Sequence, residues 1–344
     1  MSEKKADLIA EDIIQNKKKL DNNQNKSGCL IVKGANSWIE DAKNRPIPNM
    51  LFSELWYENE VCILFSDTNN GKSVLAVQIG ESISRGIPIP GFKLECEPQR
   101  VLYMDFELSD KQFENRYSED YYNHHQFSSN FLRAEIDTEL DIPKNYKGVE
   151  EYLCDILEDT VKKYDVSVLI IDNLTFLSSE NEKAKDALVL MKTLKKLSKK
   201  LNLSILVLAH TPKRDESKPL TKDHLAGSKM LMNFCDSSFA IGTSSEKHSY
   251  KYIKQIKQRN TEHIYHSGNI ILCNIEKQTN FLKFQFVDFD DELNHLKTYN
   301  SSDIETRDEE MKQLISEGLS NVDVANQLGL SEGAIRKRRK KLGI

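Results

Sequence analysis

The residues with the clearest chemical potential form the short stretch Ser66–Ser73, which reads SDTNNGKS. It follows the apolar segment VCILFS and precedes the helical pattern VLAVQIGESISRG, so it has the strand–loop–helix context of a phosphate-binding loop. Backbone N–H groups and the start of a helix present partial positive charge to phosphates. We expect Lys72 to contact the terminal phosphates of a nucleotide, and the Ser73 hydroxyl to bind Mg²⁺.

One residue departs from the G-x-x-x-x-G-K-[ST] pattern, because Ser66 stands at the position of the first glycine. Serine fits there if its φ is negative, and the asparagines at the tip tolerate left-handed angles. The alternative is a simple turn into a helix without bound nucleotide. The predicted nucleotide-binding residues are Ser66, Asp67, Thr68, Asn69, Asn70, Gly71, Lys72, Ser73 and Val74.

Two further apolar stretches end in polar side chains. Asp172 ends VSVLIID, at the place where a carboxylate associated with Mg²⁺ would lie in a phosphate-loop enzyme. His210 ends LSILVLAH, where it would sense the γ-phosphate of a nucleotide. Both residues also have a plainer explanation as polar groups at the end of a strand.

A third stretch, RVLYMDFE, ends with two carboxylates. Period-two geometry predicts that Asp105 and Glu107 lie on the same face of this strand. A carboxylate at such a strand end would orient the attacking water, and Glu107 is the predicted catalytic base. A solvated strand end remains the alternative.

Basic residues follow two other strands. In YKYIKQIKQRNTE, Lys257 and Arg259 alternate on one face near a strand end, where they would stabilise transition-state charge or would simply be solvated. The polar loop after His210 would contact a polyanion, with solvated surface as the alternative. Its predicted DNA-binding residues are Lys213, Arg214 and Lys218.

The elements needed to position these side chains alternate along the chain. Six apolar strands are predicted, at residues 61–66, 100–107, 130–136, 166–172, 203–210 and 237–242, with an amphipathic helix at 183–201. Three strands without intervening helices follow, at 250–258, 269–277 and 281–289. This pattern predicts an α/β fold with a mostly parallel sheet flanked by helices and an antiparallel extension.

The segments SDTNNGKS, YMDFE, LIIDN, LAHTPKR and IKQRN, in this order, resemble the RecA-like ATPases. The resemblance covers about residues 45–287 and is strongest to the hexameric-helicase branch, with the RepA-type plasmid replication helicases and the DnaB-like helicases. In that branch the catalytic glutamate follows the second strand, which matches Glu107. The residue after Asp172 is Asn173, unlike the AAA+ class, whose glutamate follows the Walker B aspartate.

The resemblance implies ATP as the nucleotide, Mg²⁺ as the cofactor and a homo-oligomer, a hexameric ring or similar, with nucleotide between subunits. It assigns catalytic roles to Lys72 and Glu107, the sensor position to His210, and the fingers that act on a neighbouring subunit to Lys257 and Arg259. The loop lining the central channel maps to about residues 211–224.

The C-terminal end differs in charge from the rest of the chain. Residues 288–306 are acidic and polar and are predicted to be a linker, and residues 307–344 are predicted to form a small all-α domain. The stretch SNVDVANQLGLSEGAIRKRRKKL resembles a helix-turn-helix in which Ser331 caps the second helix. The DNA contacts it implies are Ser331, Arg336, Lys337, Arg338, Arg339 and Lys340. A basic helix that suits its own dipole or binds an acidic partner is the alternative.

Composition excludes several classes of protein. The 344 residues are 39% hydrophobic, no apolar run approaches 18 residues, and the charged start has no secretory core, so neither a membrane span nor secretion is expected. None of the six cysteines forms a C-x-x-C pair, which is typical of reduced thiols and predicts a cytoplasmic protein. Residues 1–44 are predicted to be a partly flexible arm, and residues 45–287 the ATPase domain.

Three functional hypotheses remain open from the sequence. The first is an ATP-dependent DNA-binding protein, an oligomeric DNA-dependent ATPase or helicase-like motor that replicates or mobilises a plasmid or mobile element. The second is a non-motor regulator or loader that ATP switches between assembly states. The third is an ATP-binding module with a protein-binding tail.

Overall fold

A computed structural model describes residues 26–27, 29–137, 139, 141–144, 146, 149–173, 183–212, 214–225, 228–298, 301–328, 330 and 332–344. The chain divides into two units between Pro48 and Asn49. In the first unit, strands β1 (Lys26–Ser27) and β2 (Leu30–Ile31) form an antiparallel pair. Helix α1 (Ala35–Lys43) follows. Of the predicted N-terminal arm, residues 1–25 lie outside the described residues.

The second unit contains the remaining elements. Its strands are β3 (Met50–Phe52), β4 (Trp56–Tyr57), β5 (Val61–Ser66), β6 (Val101–Asp105), β7 (Ser118–Glu119), β8 (Asn123–His124), β9 (Phe131–Ala134), β10 (Val168–Asp172), β11 (Ser204–His210), β12 (Ser237–Thr243), β13 (Tyr250–Lys257), β14 (Ile270–Lys277) and β15 (Leu282–Asp290). Its helices are α2 (Lys72–Arg85), α3 (Asp110–Arg116), α4 (Val149–Lys163), α5 (Lys183–Leu201), α6 (Ser228–Phe234), α7 (Ser301–Ser316), α8 (Asn321–Gln327) and α9 (Glu332–Leu342). Short 3₁₀ helices span Lys222–His224 and Glu292–His295.

A nine-stranded sheet organises this unit, with the order β15-β14-β13-β12-β5-β11-β10-β6-β9. The six strands from β12 to β9 are mutually parallel, and β13, β14 and β15 extend the sheet in antiparallel fashion. All nine predicted strands are present, so the predicted α/β fold is confirmed. Parallel strands must be covered on both faces, which explains why strands such as β5 are apolar throughout.

Each face of the sheet has its own core. Along β5, Ile63 and Phe65 point to one face, and Cys62 and Leu64 point to the other. Helix α5 covers the first face, where Met191, Leu194 and Leu197 are buried as its amphipathic pattern predicts. Helix α2 covers the second face. The two layers hold the carboxyl ends of the parallel strands at one edge of the sheet.

The stretch 288–306, predicted as a linker, is mostly regular structure. Strand β15 continues to Asp290, the 3₁₀ helix Glu292–His295 follows, and α7 begins at Ser301. Among the described residues, β15 is the edge strand of the sheet, and its end carries Asp288 and Asp290. Glu292 is fully buried and forms an ion pair with Lys254, so part of the acidity of this stretch is used inside the fold.

Helices α7, α8 and α9 share a small core of their own, formed by Met311, Val324, Ala325 and Ile335. Ser320 caps α8, since its hydroxyl accepts a hydrogen bond from the backbone N–H of Asp323 at 3.3 Å. Ile335 is fully buried and packs with Val324 and Ala325 of α8. Ser331, the predicted cap of α9, lies outside the described residues.

Candidate nucleotide-binding site

Four neighbouring parallel strands bring the predicted site residues together. Strand β11 lies between β5 and β10, and β6 follows β10. His210 is in register with Ser66, and Asp172 is in register with Asp105. Because the strands are parallel, all four residues lie at the carboxyl edge of the sheet, where open α/β sheets bind their ligands.

The loop accepts Ser66 without strain. Ser66 is the last residue of β5, is fully buried, and is not among the residues with positive φ. Its hydroxyl donates to the carbonyl oxygen of Asp67 at 2.9 Å. The left-handed positions are Asn69, with φ of 63°, and Gly71, with φ of 83°. Residues that accept a left-handed φ are therefore needed at Asn69, at the tip of the loop, and at Gly71, at the start of the helix, and not at position 66.

Gly71 is required for two reasons. Its left-handed φ disfavours any side chain. A Cβ atom there would also lie 2.8 Å from Cδ1 of Ile275 and 2.9 Å from the ring of Phe284. These two side chains come from β14 and β15, so the antiparallel extension of the sheet packs against the phosphate loop at Gly71.

Lys72 points back into its own loop. Its Nζ donates to the carbonyl oxygens of Ser66 at 3.1 Å and Asp67 at 3.2 Å, and lies 3.1 Å from Nδ1 of His210. Burial lowers the pKa of Lys72, and the negative charges of Asp172 and Glu107 oppose this effect. The ammonium group is thus held at the centre of the loop, where phosphate oxygens would approach it.

Glu107, Asn173 and His210 form a polar cluster beside Lys72. The side-chain amide of Asn173 donates to Oε1 of Glu107, and its nitrogen lies 3.0 Å from Nε2 of His210. His210 Nε2 lies 3.5 Å from Oε1 of Glu107. The hydrogen bond from His210, together with the positive charges of Lys72 and Arg116, lowers the pKa of Glu107. The Glu107 carboxylate is therefore ionised at neutral pH and able to accept a hydrogen bond from water.

The predicted pairing of Asp105 and Glu107 on one strand face is wrong, because β6 ends at Asp105. Oδ1 of Asp105 accepts hydrogen bonds from the N–H groups of Glu107 (3.2 Å) and Leu108 (3.0 Å). Its Oδ2 accepts from Nε of Arg133 at 3.0 Å. Asp105 thus forms the turn that carries Glu107 into the site.

Asp172 and Ser73 are the candidate Mg²⁺ ligands. Asp172 is buried and accepts hydrogen bonds from the hydroxyl of Tyr103 at 2.5 Å and from the Ser73 hydroxyl. Burial raises the pKa of Asp172 to about 6. A carboxylate next to a hydroxyl fits the oxygen donors that Mg²⁺ takes from a protein when phosphates and water supply the rest. The donor set therefore suits Mg²⁺ bound together with a nucleotide.

Two buried donors at the site have no partner among the described residues: Nη1 of Arg116 and Nδ2 of Asn70. Both residues line a cavity of about 100 Å³ together with Thr68, Gly71, Lys72, Ser73, Glu107 and His210. A buried donor without an acceptor is costly, and oxygens of a phosphate chain would satisfy both. The cavity therefore fits the phosphate end of a nucleotide.

Sequence reasoning missed Arg116. It ends the short helix α3, where a single arginine forms no recognisable motif. Its role becomes visible only when the turn after β6 brings the end of α3 to the phosphate loop. The spacing of nine residues from Glu107 is the only trace of this proximity in the sequence.

Lys257 and Arg259 lie near the amino-terminal ends of the parallel strands, opposite the carboxyl ends where the predicted site residues meet. Because β13 runs antiparallel, Lys257 is in register with Ser238 at the start of β12. Its Nζ donates to the carbonyl oxygens of Met232 and, at 2.7 Å, Cys235. Nη1 of Arg259 lies 3.2 Å from Asp236, whose carboxylate also accepts a hydrogen bond from the N–H of Val61 at the start of β5. These two residues are therefore not part of the site formed within one chain.

The burial of the Arg214 side chain contradicts its predicted role in DNA binding. Its side chain is 2% exposed, and its Nε donates to Oδ2 of Asp67 in the phosphate loop at 2.9 Å. The hydroxyl of Thr211 donates to the other oxygen of Asp67. Lys218 is exposed and lies 3.3 Å from Asp215. Lys213 lies outside the described residues.

Two of the predicted DNA-binding residues of α9 form contacts with neighbouring helices. Arg338 forms a two-pronged ion pair with Asp308 of α7, at 2.8 and 2.5 Å. Arg339 donates to the side chain of Asn321 of α8 at 2.7 Å. Arg336, Lys337 and Lys340 are exposed, and Arg336 pairs with Glu332 of its own helix at 2.6 Å.

Comparison with known proteins gives the class of this protein. Residues 33–216 match the family AAA_25, described as an AAA domain. The match takes in more than half of the chain, so the chain belongs to this family. The strand order and the phosphate loop described above are those of an α/β P-loop domain. The carboxylate placed beside the phosphate loop is Glu107, which follows β6, and the residue after Asp172 is Asn173.

A solved structure similar to this chain is that of the KaiC-like protein PH0186 from the hyperthermophilic archaeon Pyrococcus horikoshii OT3. The similarity has a TM-score of 0.43 at 13% sequence identity and covers 67% of this chain and 90% of that one. No curated protein matches the sequence. Among the described residues, none of the helices has the length and apolar character needed to cross a membrane.

Proposed function

We propose that this protein is an oligomeric, DNA-dependent ATPase, a helicase-like motor for the replication or mobilisation of a plasmid or mobile element. The observation that carries the proposal is the convergence of Lys72, Glu107 and His210 on one phosphate loop, beside the Ser73–Asp172 pair. Each of these residue types has a defined part in nucleotide hydrolysis.

Different residues of the chain would bind the phosphates, hold Mg²⁺ and orient the attacking water. Loop N–H groups, Lys72, Asn70 and Arg116 would bind the phosphates of ATP, because they supply donors at the cavity. Ser73 and Asp172 would hold Mg²⁺, which when bound neutralises phosphate charge. Glu107 would accept a hydrogen bond from the attacking water and orient it.

The proposed oligomer accounts for Lys257 and Arg259. Both lie away from the nucleotide site of their own chain, and Arg259 is 53% exposed. In a ring, this edge of one subunit would face the phosphate loop of the next, where a guanidinium would stabilise the charge of the transition state. An experiment that mixes two inactive variants tests the proposed ring and the proposed role of these two residues.

The proposed DNA-binding surface is the exposed side of α9. Arg336, Lys337 and Lys340 would contact phosphates, while Arg338 and Arg339 hold the helix in place. Three charges on one small unit bind weakly, and several copies in an oligomer would gain affinity through avidity. The proposed domains are residues 45–287 for the ATPase and 307–344 for the helix-turn-helix, and in the structure β15 extends the first to Asp290 and α7 begins the second at Ser301.

One observation favours the second candidate, a non-motor protein that ATP switches between states. Arg214 pairs with the phosphate loop, so the loop at 211–224 offers DNA less charge than its sequence indicates. A motor needs this loop to grip DNA in the central channel, whereas a regulator or loader needs only α9.

ATP hydrolysis measured alone, with single-stranded DNA and with duplex DNA, tests the proposal, followed by a strand-separation assay. We expect DNA to stimulate turnover and unwinding to depend on ATP, with Lys72→Ala inactive in both assays. Stimulated turnover without unwinding would remove the helicase part. ATP-dependent assembly in light scattering with negligible turnover would instead support the ATP-switched regulator.

A further inference from the structure

A groove lined by lysines lies along α5, and it shares no lining residue with the cavity at the phosphate loop. Its volume is about 570 Å³, and its lining residues are Lys192, Lys195, Lys196, Lys199, Lys200 and Phe234. The lysines recur at steps of three and four residues, so they share one side of the helix. Phe234 ends the neighbouring helix α6 and is half-buried.

The fold itself does not need this concentration of charge. Leu190, Met191, Leu194 and Leu197 of α5 face the core, while Val189 is exposed beside the lysines, and lysines four residues apart repel one another and weaken a helix. Lys195 pairs with Asp236, and Lys200 lies 2.7 Å from Glu158. No described carboxylate forms an ion pair with Lys192, Lys196 or Lys199. Three ammonium groups thus remain available at the surface.

Phe234 gives the groove a second feature. The Nζ atom of Lys192 lies 5.9 Å from the centre of the Phe234 ring, which places an aromatic face among the cations. A positively charged groove with an aromatic side chain is the arrangement with which proteins bind single-stranded nucleic acid, because the lysines follow the phosphates and the ring stacks on a base. A duplex keeps its base faces covered and uses only the charges.

We propose that this groove binds single-stranded nucleic acid, with phosphates on Lys192, Lys196 and Lys199 and one base stacked on Phe234. Charge complementarity selects a polyanion, and the aromatic ring selects an unpaired strand over a duplex. The site is separate from α9, which is the duplex-binding surface of the proposed function. It would give the ATPase domain its own contact with a separated strand.

The test uses the full chain and a fluorescent oligothymidylate, with an oligouridylate of equal length to compare DNA with RNA. The triple variant Lys192→Gln, Lys196→Gln and Lys199→Gln should weaken binding by about 100-fold at about 0.1 M salt. It should also reduce the slope of log affinity against log salt by about 2, since each phosphate contact of a single strand contributes about 0.7. Equal loss for both oligonucleotides means that the site does not distinguish them.

Two controls separate the groove from general charge and from misfolding. Lys111→Gln, Lys163→Gln and Lys247→Gln remove the same charge from exposed lysines elsewhere and should leave binding nearly unchanged. Phe234→Leu keeps an apolar side chain but removes the ring, and should weaken binding about tenfold without changing the salt slope. The groove variant relieves repulsion between lysines, so we expect its thermal midpoint to equal or exceed that of the wild type.

Three results would overturn the proposal. Unchanged affinity and salt slope in the groove variant would show that the lysines bind no strand. Equal losses in the groove and control variants would show a non-specific charge effect. Loss of self-association with unchanged oligonucleotide binding would make the groove an interface between copies. A protein without DNA-stimulated ATPase activity that still binds oligothymidylate through these lysines would refute the proposed motor and leave the groove intact.

Discussion

Glu107 is the residue on which the chemistry of the site depends most directly. We expect Glu107→Gln to keep ATP binding, because the amide preserves the shape of the side chain and its contact with Asn173. Turnover should fall by about 10²–10⁴-fold, since the amide cannot accept a proton from water. Equilibrium nucleotide binding and single-turnover hydrolysis measure the two effects. Turnover at the wild-type rate would place the base elsewhere.

Asp172 should make stability depend on pH in the absence of nucleotide. Its pKa in the folded chain is about 6, raised by burial from a value of 3.8, so the folded state binds this proton more tightly than the unfolded state. The resulting stabilisation is complete below about pH 4 and is lost as pH rises through 6, to a total of about 3 kcal/mol. In Asp172→Asn, this fall between pH 4 and 6 should disappear from urea unfolding curves.

Glu60 provides a matched control at the other edge of the sheet. Burial raises its pKa from 4.5 to about 7, so Glu60→Gln should remove a similar fall in stability between about pH 4.5 and 7. We expect Glu60→Gln to bind ATP like the wild type, whereas Asp172→Asn should lose its Mg²⁺-dependent nucleotide affinity. An unchanged pH profile in Asp172→Asn would contradict the raised pKa.

At the scale of elements, the loop after β11 is tied to the phosphate loop. Arg214 pairs with Asp67, and Thr211 contacts the same carboxylate. Further along, the backbone of Leu220 donates to Glu292 at 2.7 Å and accepts from Lys254 at 2.7 Å. The loop is thus anchored at both ends, and its start is anchored to the element that binds phosphate.

A double-mutant cycle measures this link. Removing one partner of a buried ion pair leaves an unpaired charge, so Asp67→Asn and Arg214→Met should each destabilise the chain. The double variant leaves no unpaired charge and should lose less free energy of unfolding than the sum of the two single variants. We expect an interaction energy of about 1–3 kcal/mol in urea unfolding. The exposed pair Asp215 and Lys218 in the same loop is the control and should give less than about 1 kcal/mol. Additive effects at Asp67 and Arg214 would refute the link.

At the scale of the whole molecule, the position of Arg259 predicts complementation between subunits. Arg259→Ala retains its own phosphate loop, and Lys72→Ala retains its Arg259. We expect each variant alone to be inactive or nearly so, and a mixture to recover hydrolysis, because a mixed ring contains sites with an intact loop and an intact finger. Lys247→Ala, at an exposed turn, serves as the control for Arg259→Ala and should hydrolyse ATP at the wild-type rate.

The mixing experiment has a clear contrary outcome. If the activity of the mixture equals the weighted sum of the two variants at every protein concentration, Arg259 does not act on a neighbouring subunit. Full activity of Arg259→Ala alone would also exclude that role. In either case the ion pair with Asp236 would remain as the structural use of this side chain.

The sequence by itself determined the strands, the phosphate loop and the edge of the sheet where the site forms. Runs such as VCILFS and VLIID are apolar because both faces of a parallel strand are buried, and this requirement is visible locally. Asn69 at the loop tip is also locally readable, since few residues accept a left-handed φ. These features depend on neighbours along the chain, and a linear pattern records them.

Only the tertiary structure decided which charged side chains meet. It buried Arg214 against Asp67, brought Arg116 to the phosphate loop and placed Arg259 near the opposite edge of the sheet. It also showed that Asp105 forms a turn and that a 3₁₀ helix, Glu292–His295, follows β15. Partners far apart in sequence meet through strand order and register. Their spacing along the chain does not encode that geometry, so exposure and pairing had to come from the fold.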